Sequence, residues 1–303
     1  MQIGILGIGG IGGFLAAVLS KNNQNVVCIT SKETKDYIQS DSFELLSKNF
    51  GNFKIKSDAC NILNADLDVL FITTKNQYLK DSLQKIPQEY LKNCIVIPLL
   101  NGVAHRDLLT DIYKDSIITG TIGGIEVEKQ KNQILHLSHN LKPTIDLATN
   151  NTQLDLKLES VSKILQNAGI NANIHPEISH VTWGKLVRLD VISSFSAAYD
   201  QTVGELRSDE LIRNEMKRYI RETIEVASLE GYVTSCKIIM NQIDQLPHDL
   251  KTSLQKDIKL NKESELESIT GGVIKLALDN DIEISNHDLI YNKIQLKSKK
   301  LYD

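Results

Sequence analysis

Gly7-Ile8-Gly9-Gly10-Ile11-Gly12 stands near the head of the chain with the spacing G-x-G-x-x-G. It follows the apolar run QIGIL and opens the helical stretch IGGFLAAVLSK, the strand, turn and helix that a dinucleotide-binding loop requires. Each glycine has a physical task there: Gly7 permits a tight turn, Gly9 lets the backbone approach a pyrophosphate, and Gly12 lets helix lie close on strand. The helix N-terminus then faces the anion. A glycine-rich turn with no ligand is the plainer alternative, but a βαβ unit closing at NVVCIT points to dinucleotide binding by Gly7, Ile8, Gly9, Gly10, Ile11 and Gly12.

The choice of dinucleotide is made at the end of the second strand, where a carboxylate binds the ribose 2′-OH of NAD and a basic residue favours a 2′-phosphate. Here that strand ends Ile29-Thr30-Ser31-Lys32, with Glu33 only beyond the lysine. The order favours NADP(H) and makes Lys32 a cofactor-binding candidate. Lys75 ends the run DVLFITTK, where a strand's carboxyl end meets the ligand crevice of an open α/β sheet, and offers a second positive charge. For both, the alternative is an ordinary surface lysine.

Asn101-Gly102 follows CIVIPLL, again at a strand's carboxyl end, where an asparagine holds a carboxamide or a substrate carbonyl, or merely makes a turn. Trp183-Gly184-Lys185-Leu186 sets a lysine in an otherwise apolar helical segment. Its ammonium is charged at neutral pH, so Lys185 is a candidate proton donor, the alternative being a lysine that snorkels from a helix edge. Metal chemistry has no such support: His136 and His139 stand three apart in a strand-like run, hence on opposite faces, and neither H-E-x-x-H nor a Cys/His cluster occurs. An acyl-transfer serine lacks its G-x-S-x-G elbow.

The elements that must position these residues change character midway. From Met1 to about Pro176, QIGIL, NVVCIT, DVLFIT, CIVIPLL and IITGTI alternate with helical stretches, the pattern of a doubly wound parallel sheet buried on both faces. ILHLS and TIDLA resemble a short hairpin or meander, Leu154, Leu158, Val161 and Leu165 form one helical stripe, and INANI is a last strand. From Glu177, apolar residues recur at helical spacing: Ile178, Val181, Leu186, Leu189 and Ile192, then Leu211, Met216, Ile220, Ile224 and Ala227. The expected fold is α/β, a Rossmann-type dinucleotide-binding domain over residues 1–176 followed by an all-helical substrate and dimerisation domain over 177–303. Lys297, Lys299 and Lys300 end the last helix as a solvated cationic terminus.

Composition narrows the function classes. The 303 residues are 41% hydrophobic and 24% charged, as in an ordinary globular protein. Thirty-four Lys and Arg against 38 Asp and Glu give a net charge of -4, so no global basic field is there to hold nucleic acid. Cys28, Cys60, Cys94 and Cys236 form no C-x-x-C pair and fit reduced packing residues. With neither a signal peptide nor an apolar run of about 18 residues, a cytoplasmic protein off the membrane is expected.

In conjunction these motifs resemble the ketopantoate reductase family, NADPH-dependent reductases of 2-dehydropantoate in pantothenate biosynthesis. The likeness runs through the glycine loop, ITTK with Lys75, LLNG with Asn101, WGKL with Lys185, Gly204-Glu205-Leu206, and the late helical segment SLQKDIKLNKESELE. It implies that Lys185 donates the proton and helps bind the ketone, that Glu265 is the catalytic glutamate, and that Ser253 binds substrate. It also implies that Asn101 serves cofactor and substrate and that Lys75 contacts the 2′-phosphate. The implied partner is a small 2-oxo acid, and the C-terminal helices offer faces for a homodimer. An opine-type or other 2-oxo acid reductase, or a catalytically silent NADP-sensing protein, are the alternatives.

The chain also departs from the family. Asparagines usually stand four and eight residues after the lysine, about 40° and 80° round the helix from it. Here the positions hold Leu189 and Ser193. Leucine cannot hydrogen-bond a hydroxyl or carboxylate, whereas Ser193 keeps a place among the substrate-binding residues. Asp190, five residues on, would point about 140° away.

Overall fold

A computed structural model of the chain describes residues 1–138 and 140–300, the last two by their backbone alone. His139 and the Lys299 and Lys300 side chains thus lie outside the described residues. Contacts divide the chain into two compact units, the first comprising Met1–Leu100 and Arg106–Val181, the second Asn101–His105 and the chain from Thr182 onward.

In chain order the elements begin β1 (Gln2–Leu6), α1 (Gly10–Lys21), β2 (Asn25–Ile29), α2 (Lys32–Gln39), β3 (Glu44–Ser47), β4 (Phe53–Lys54), β5 (Asp58–Cys60) and β6 (Val69–Ile72). Then come α3 (Leu79–Leu83), β7 (Ile95–Pro98), α4 (Arg106–Tyr113), β8 (Thr119–Gly123), β9 (Val127–Gln130), β10 (Gln133–His136), β11 (Thr144–Ala148), α5 (Asp155–Asn167) and β12 (Asn171–Ile174). The helical part has α6 (Ile178–Tyr199), α7 (Val203–Ser208), α8 (Glu210–Ser228), α9 (Cys236–Asp244), α10 (Ser253–Lys259), a π-turn (Glu267–Gly271), α11 (Gly272–Leu278) and α12 (Ser285–Lys300).

The first unit is built on a five-stranded parallel sheet, ordered β5-β2-β1-β6-β7. Alternate residues of each strand enter separate cores: Ile3, Ile5, Val26, Cys28, Val69, Phe71, Ile95 and Ile97 pack on one face, Leu6, Val27, Ile29, Leu70, Ile72 and Val96 on the other. Burial on both faces is why these strands are continuous apolar runs. Two small sheets complete the unit, β4-β3-β10-β9 and β12-β11-β8.

Four sequence expectations are corrected here. ILHLS and TIDLA form strands but not one hairpin: β10 pairs with β9 and β3, β11 with β8 and β12. The true hairpin partner, β9, is VEKQ, and its polar composition carries no strand signal. IITGTI contributes its strand to another sheet: β8 runs antiparallel to β11, and only Ile117, ahead of β8, makes a parallel bridge to Val96 of β7. Its alternating burial, unlike the full burial of β6 and β7, is that of a strand with one wet face. SLQKDIKLNKESELE is not one helix, since α10 stops at Lys259 and the chain turns before Glu265. On α8 the buried stripe takes Ile212, and Leu211 is 78% exposed.

Gly204-Glu205-Leu206 has a structural task. Glu205 closes a capping box with Thr202 at the start of α7, two backbone groups satisfied reciprocally. Burial pushes the thiols of Cys28 and Cys94 up to about 12, so these two cysteines are inert packing groups. Lys297 donates to the Ala197 carbonyl at 3.4 Å. Among the described residues no helix is long and apolar enough to cross a membrane.

Within the core of the second unit lies a knot of buried polar side chains. Asp190 is fully buried; its Oδ1 accepts from Tyr219 Oη at 3.0 Å, Thr270 Oγ1 at 2.7 Å and Ser194 Oγ at 3.4 Å, and its Oδ2 lies 3.2 Å from His287 Nε2. His287 Nδ1 lies 2.7 Å from Glu222 Oε2, and the imidazole stacks on Tyr219 with centroids 3.6 Å apart. Burial opposes charge on His287, but the hydrogen bonds to Asp190 and Glu222 outweigh it and raise its pKa. Glu222 is likewise desolvated, yet its bonds from His287 and Asn286 hold it below the usual carboxylate range. The knot is an imidazole held between two carboxyl groups, whose hydrogen bonds favour its protonated form.

Because the pKa of His287 is higher folded than unfolded, its contribution to stability is complete below the unfolded value of 6.5 and disappears as pH rises through the folded value. His287→Leu leaves two carboxylates without their cation and should cost about 3–5 kcal/mol. Denaturant unfolding of both proteins across pH should show the deficit largest near pH 6 and shrinking as the solution becomes alkaline. A deficit independent of pH would mean that His287 is buried neutral.

Candidate active site

In the first unit the glycine loop lies at the carboxyl end of β1, the central strand. Gly7 has φ of 92°, and a Cβ there would come within 2.8 Å of Thr74 N. At Gly12 a Cβ would lie 2.1 Å from the Gly7 carbonyl and 2.5 Å from Thr73 Oγ1. Thr73 Oγ1 itself donates to that carbonyl at 2.7 Å, fixing the loop from β6. At Gly9, in contrast, a Cβ would meet nothing within 4 Å. Gly9 is the N-cap of α1, no side chain caps the helix, and no acidic residue stands in its first turn. Backbone N–H groups at an uncapped helix start need acceptors and carry the positive end of the dipole. The loop therefore fits a dinucleotide pyrophosphate. Ile8 is buried beneath it, Ile11 is half-buried, and Gly10 packs under the Val127 carbonyl of β9.

Lys32 and Lys75 are exposed just beyond β2 and β6, the two neighbours of β1. Lys32 is the first residue of α2, whose N-cap Ser31 accepts from Thr34 N. Sequence inspection missed a third cation. Lys129 of β9 donates to Thr34 Oγ1 at 2.5 Å, in the first turn of α2. Burial lowers its pKa against the opposing pull of Glu33. The contact spans 95 residues and depends on where sheet pairing puts β9, so no local pattern could have revealed it.

The second unit brings together three of the sequence-derived residues. Lys185 Nζ donates to Asn101 Oδ1 at 2.7 Å, and Asn101 Nδ2 donates to Glu265 Oε2 at 3.1 Å. An ammonium only donates and a carboxylate only accepts, so a single amide orientation of Asn101 serves both. Lys185 sits in α6 behind the fully buried Trp183, whose Nε1 donates to Glu230 at 2.8 Å. Glu265 stands two residues before the π-turn, and its carbonyl accepts from Ile269 N and Ser268 Oγ, both at 3.0 Å. Asn101 arrives on a loop that only glycine could complete: Gly102 has φ of 78°, and a Cβ there would lie 1.7 Å from the Ser268 carbonyl. Val103 N donates to that same carbonyl at 3.1 Å.

Leu189 packs on the apolar core of the unit. Ser193 is buried, with no hydrogen-bond partner for its Oγ. Ser253 is exposed at the first position of α10 and is not among the groups bonded to Lys185, Asn101 or Glu265. Among the described residues no three His, Cys, Asp or Glu side chains are grouped to hold a metal ion.

Two family models match the chain, Ketopantoate reductase PanE/ApbA over residues 3–150 and Ketopantoate reductase PanE/ApbA C terminal over residues 177–298. A 2-dehydropantoate 2-reductase of Yersinia pestis is 20% identical, over 98% of this chain and 95% of that protein. One of Salmonella typhi is 23% identical, over 99% and 96%. Among solved structures, a ternary complex of D-mandelate dehydrogenase with NADH and anilino(oxo)acetate superposes with a TM-score of 0.88 at 18% identity, covering 100% of both chains. A PanE/ApbA family ketopantoate reductase from Ralstonia eutropha gives 0.87 at 17%, again over 100% of both.

The two glycine positions separate ligand approach from folding. Gly9→Ala, in open space, should leave unfolding free energy within about 0.5 kcal/mol of wild type yet sharply weaken binding of a nicotinamide dinucleotide followed by fluorescence titration. Gly102→Ala should cost more than about 1 kcal/mol, because both its φ and the Ser268 carbonyl forbid a side chain. A Gly9→Ala protein that binds dinucleotide normally would remove the loop from the site.

Proposed function

The chain belongs to the ketopantoate reductase family, and from that premise we propose that it uses NADPH to reduce the ketone of a small 2-oxo acid, ketopantoate or a near relative, to a hydroxyl. The observation that carries this reading is the Asn101 amide held between Lys185 and Glu265. Reduced nicotinamide, when bound, supplies the hydride. Its arrival at the carbonyl carbon breaks the C=O π bond and builds negative charge on oxygen. The Lys185 ammonium is the group to stabilise that oxygen and transfer a proton to it. Asn101 accepts one ammonium N–H at 2.7 Å and so aims the lysine. Glu265, tied to the same amide, accepts a hydrogen bond from the nascent hydroxyl.

The first unit takes the dinucleotide part and the second, which holds Asn101 with Lys185 and Glu265, the substrate part. The loop from Gly7 to Gly12 takes the pyrophosphate, and Lys32, Lys75 and Lys129 favour a 2′-phosphate. Four free cysteines fit a reducing cytoplasm. Leu189 packs on the core where a polar clamp residue would serve a substrate hydroxyl. This favours a less hydroxylated 2-oxo acid over ketopantoate itself, since a buried hydroxyl left unpaired costs about 1–3 kcal/mol.

The test is oxidation of NADPH and NADH with a panel of 2-oxo acids. NADPH should have the lower KM, by about one to two decades for each charge-assisted phosphate contact, and Lys75→Ala should narrow the gap. Ketopantoate should be turned over less efficiently than its deoxy analogues, with Leu189→Asn reversing the order. No turnover with any member of the panel would sink the reading; equal use of NADH would sink the NADP assignment, and an efficient wild-type ketopantoate reductase the inference from Leu189.

A further inference from the structure

The polar knot of the second unit adjoins the candidate site twice. Asp190 lies on α6 five residues beyond Lys185, and Thr270 lies in the π-turn five residues beyond Glu265. Their side chains meet at 2.7 Å. A π-turn takes the helical ladder out of step by one residue, and here the Ser268 carbonyl, in the middle of the turn, accepts Val103 N. The turn thus holds Glu265, two residues before it, through the bond from Ile269 N to the Glu265 carbonyl, and Asn101 through the loop that closes on Ser268.

We propose that Asp190 is a positioning residue of the site: by accepting from Thr270 it locks the π-turn onto α6 and so sets where Glu265 and Asn101 stand against Lys185. The proposal rests on the reading that these three residues carry the reaction. His287 and Glu222 make the lock rigid. The carboxylate of Asp190 cannot rotate, because Oδ2 is engaged by His287 while Oδ1 gathers Tyr219, Ser194 and Thr270. The imidazole is fixed in turn by Glu222, whose carboxylate also accepts the backbone N–H groups of Asn286 and His287 at 2.9 and 3.0 Å. Four elements, α6, α8, the π-turn and α12, meet in the knot. Apolar side chains of equal volume would often hold such a core as well or better. What they lack is direction: dispersion fixes volume, whereas a carboxylate with four donors fixes the rotation of α6 against the turn.

Thr270→Val keeps the volume and removes the donor. The expected result is a kcat lower by about tenfold to a hundredfold, the scale of an ångström-sized misplacement, with KM for NADPH unchanged. Amide hydrogen exchange at Val103 should become faster while the amides of α8 keep their protection, and Thr270→Ser should restore both readouts. Thr270→Ala, which also spares the other three donors to Asp190, replaces the valine variant should that one not fold. Wild-type kcat and Val103 exchange in the variants would overturn the proposal, as would a fall in kcat accompanied by general loss of protection that serine does not repair. If the wild-type protein reduces no 2-oxo acid, the reading of the reaction fails, and Val103 exchange alone decides: faster exchange upholds the lock, unchanged exchange overturns it.

Discussion

A neutral amide between a cation and an anion is the interaction on which the site depends. Asn101 spans Lys185 and Glu265 with one acceptor and one donor, each bond to a charged partner contributing about 1.5–3 kcal/mol. The bridge requires three separate stretches of chain to converge. Loop 101–105 must come close enough to the π-turn that Gly102 has no room for a Cβ. The helix α6 must be rooted by Trp183, and the chain must break between α10 and the π-turn so that Glu265 leads a new helical segment. An unbroken helix from Ser253 would place Glu265 by its own phase, and nothing would then oblige it to face Asn101.

The first unit obeys a different constraint. A parallel sheet buried on both faces leaves only its strand ends to a ligand. β1 is central, so the glycine loop opens between the ends of β2 and β6, and a lysine follows each. The start of α1 is left uncapped, a local cost in hydrogen bonding that a bound anion removes.

Much of this was legible in the sequence because the signals are local. The glycine spacing, the apolar strands and the helical stripes after Glu177 each declare themselves within a few residues. What stayed hidden depends on distant pairing. VEKQ has no strand pattern and becomes β9 only through its partner, and Lys129 follows it to α2. Ser253 and Glu265 look like one helix because the turn at 260–264 carries neither Gly nor Pro. Asp190, pointing away from the lysine by helical phase, is for that reason no substrate residue, and its partners Tyr219, Thr270 and His287 come from three other elements. A lone carboxylate in a mostly apolar helical segment was the visible hint.

The most direct measurement of the central claim is single-turnover hydride transfer from NADPH to the best 2-oxo acid, in wild type, Lys185→Ala, Glu265→Ala and the double variant. Each single change should slow transfer by on the order of 10²–10⁴, the usual span for a positioned acid, and the double variant should lose less than the product, because groups acting as a unit are not additive. A Lys185→Ala protein that transfers hydride at the wild-type rate but melts many degrees lower would contradict the account: the lysine would then be a packing residue of α6.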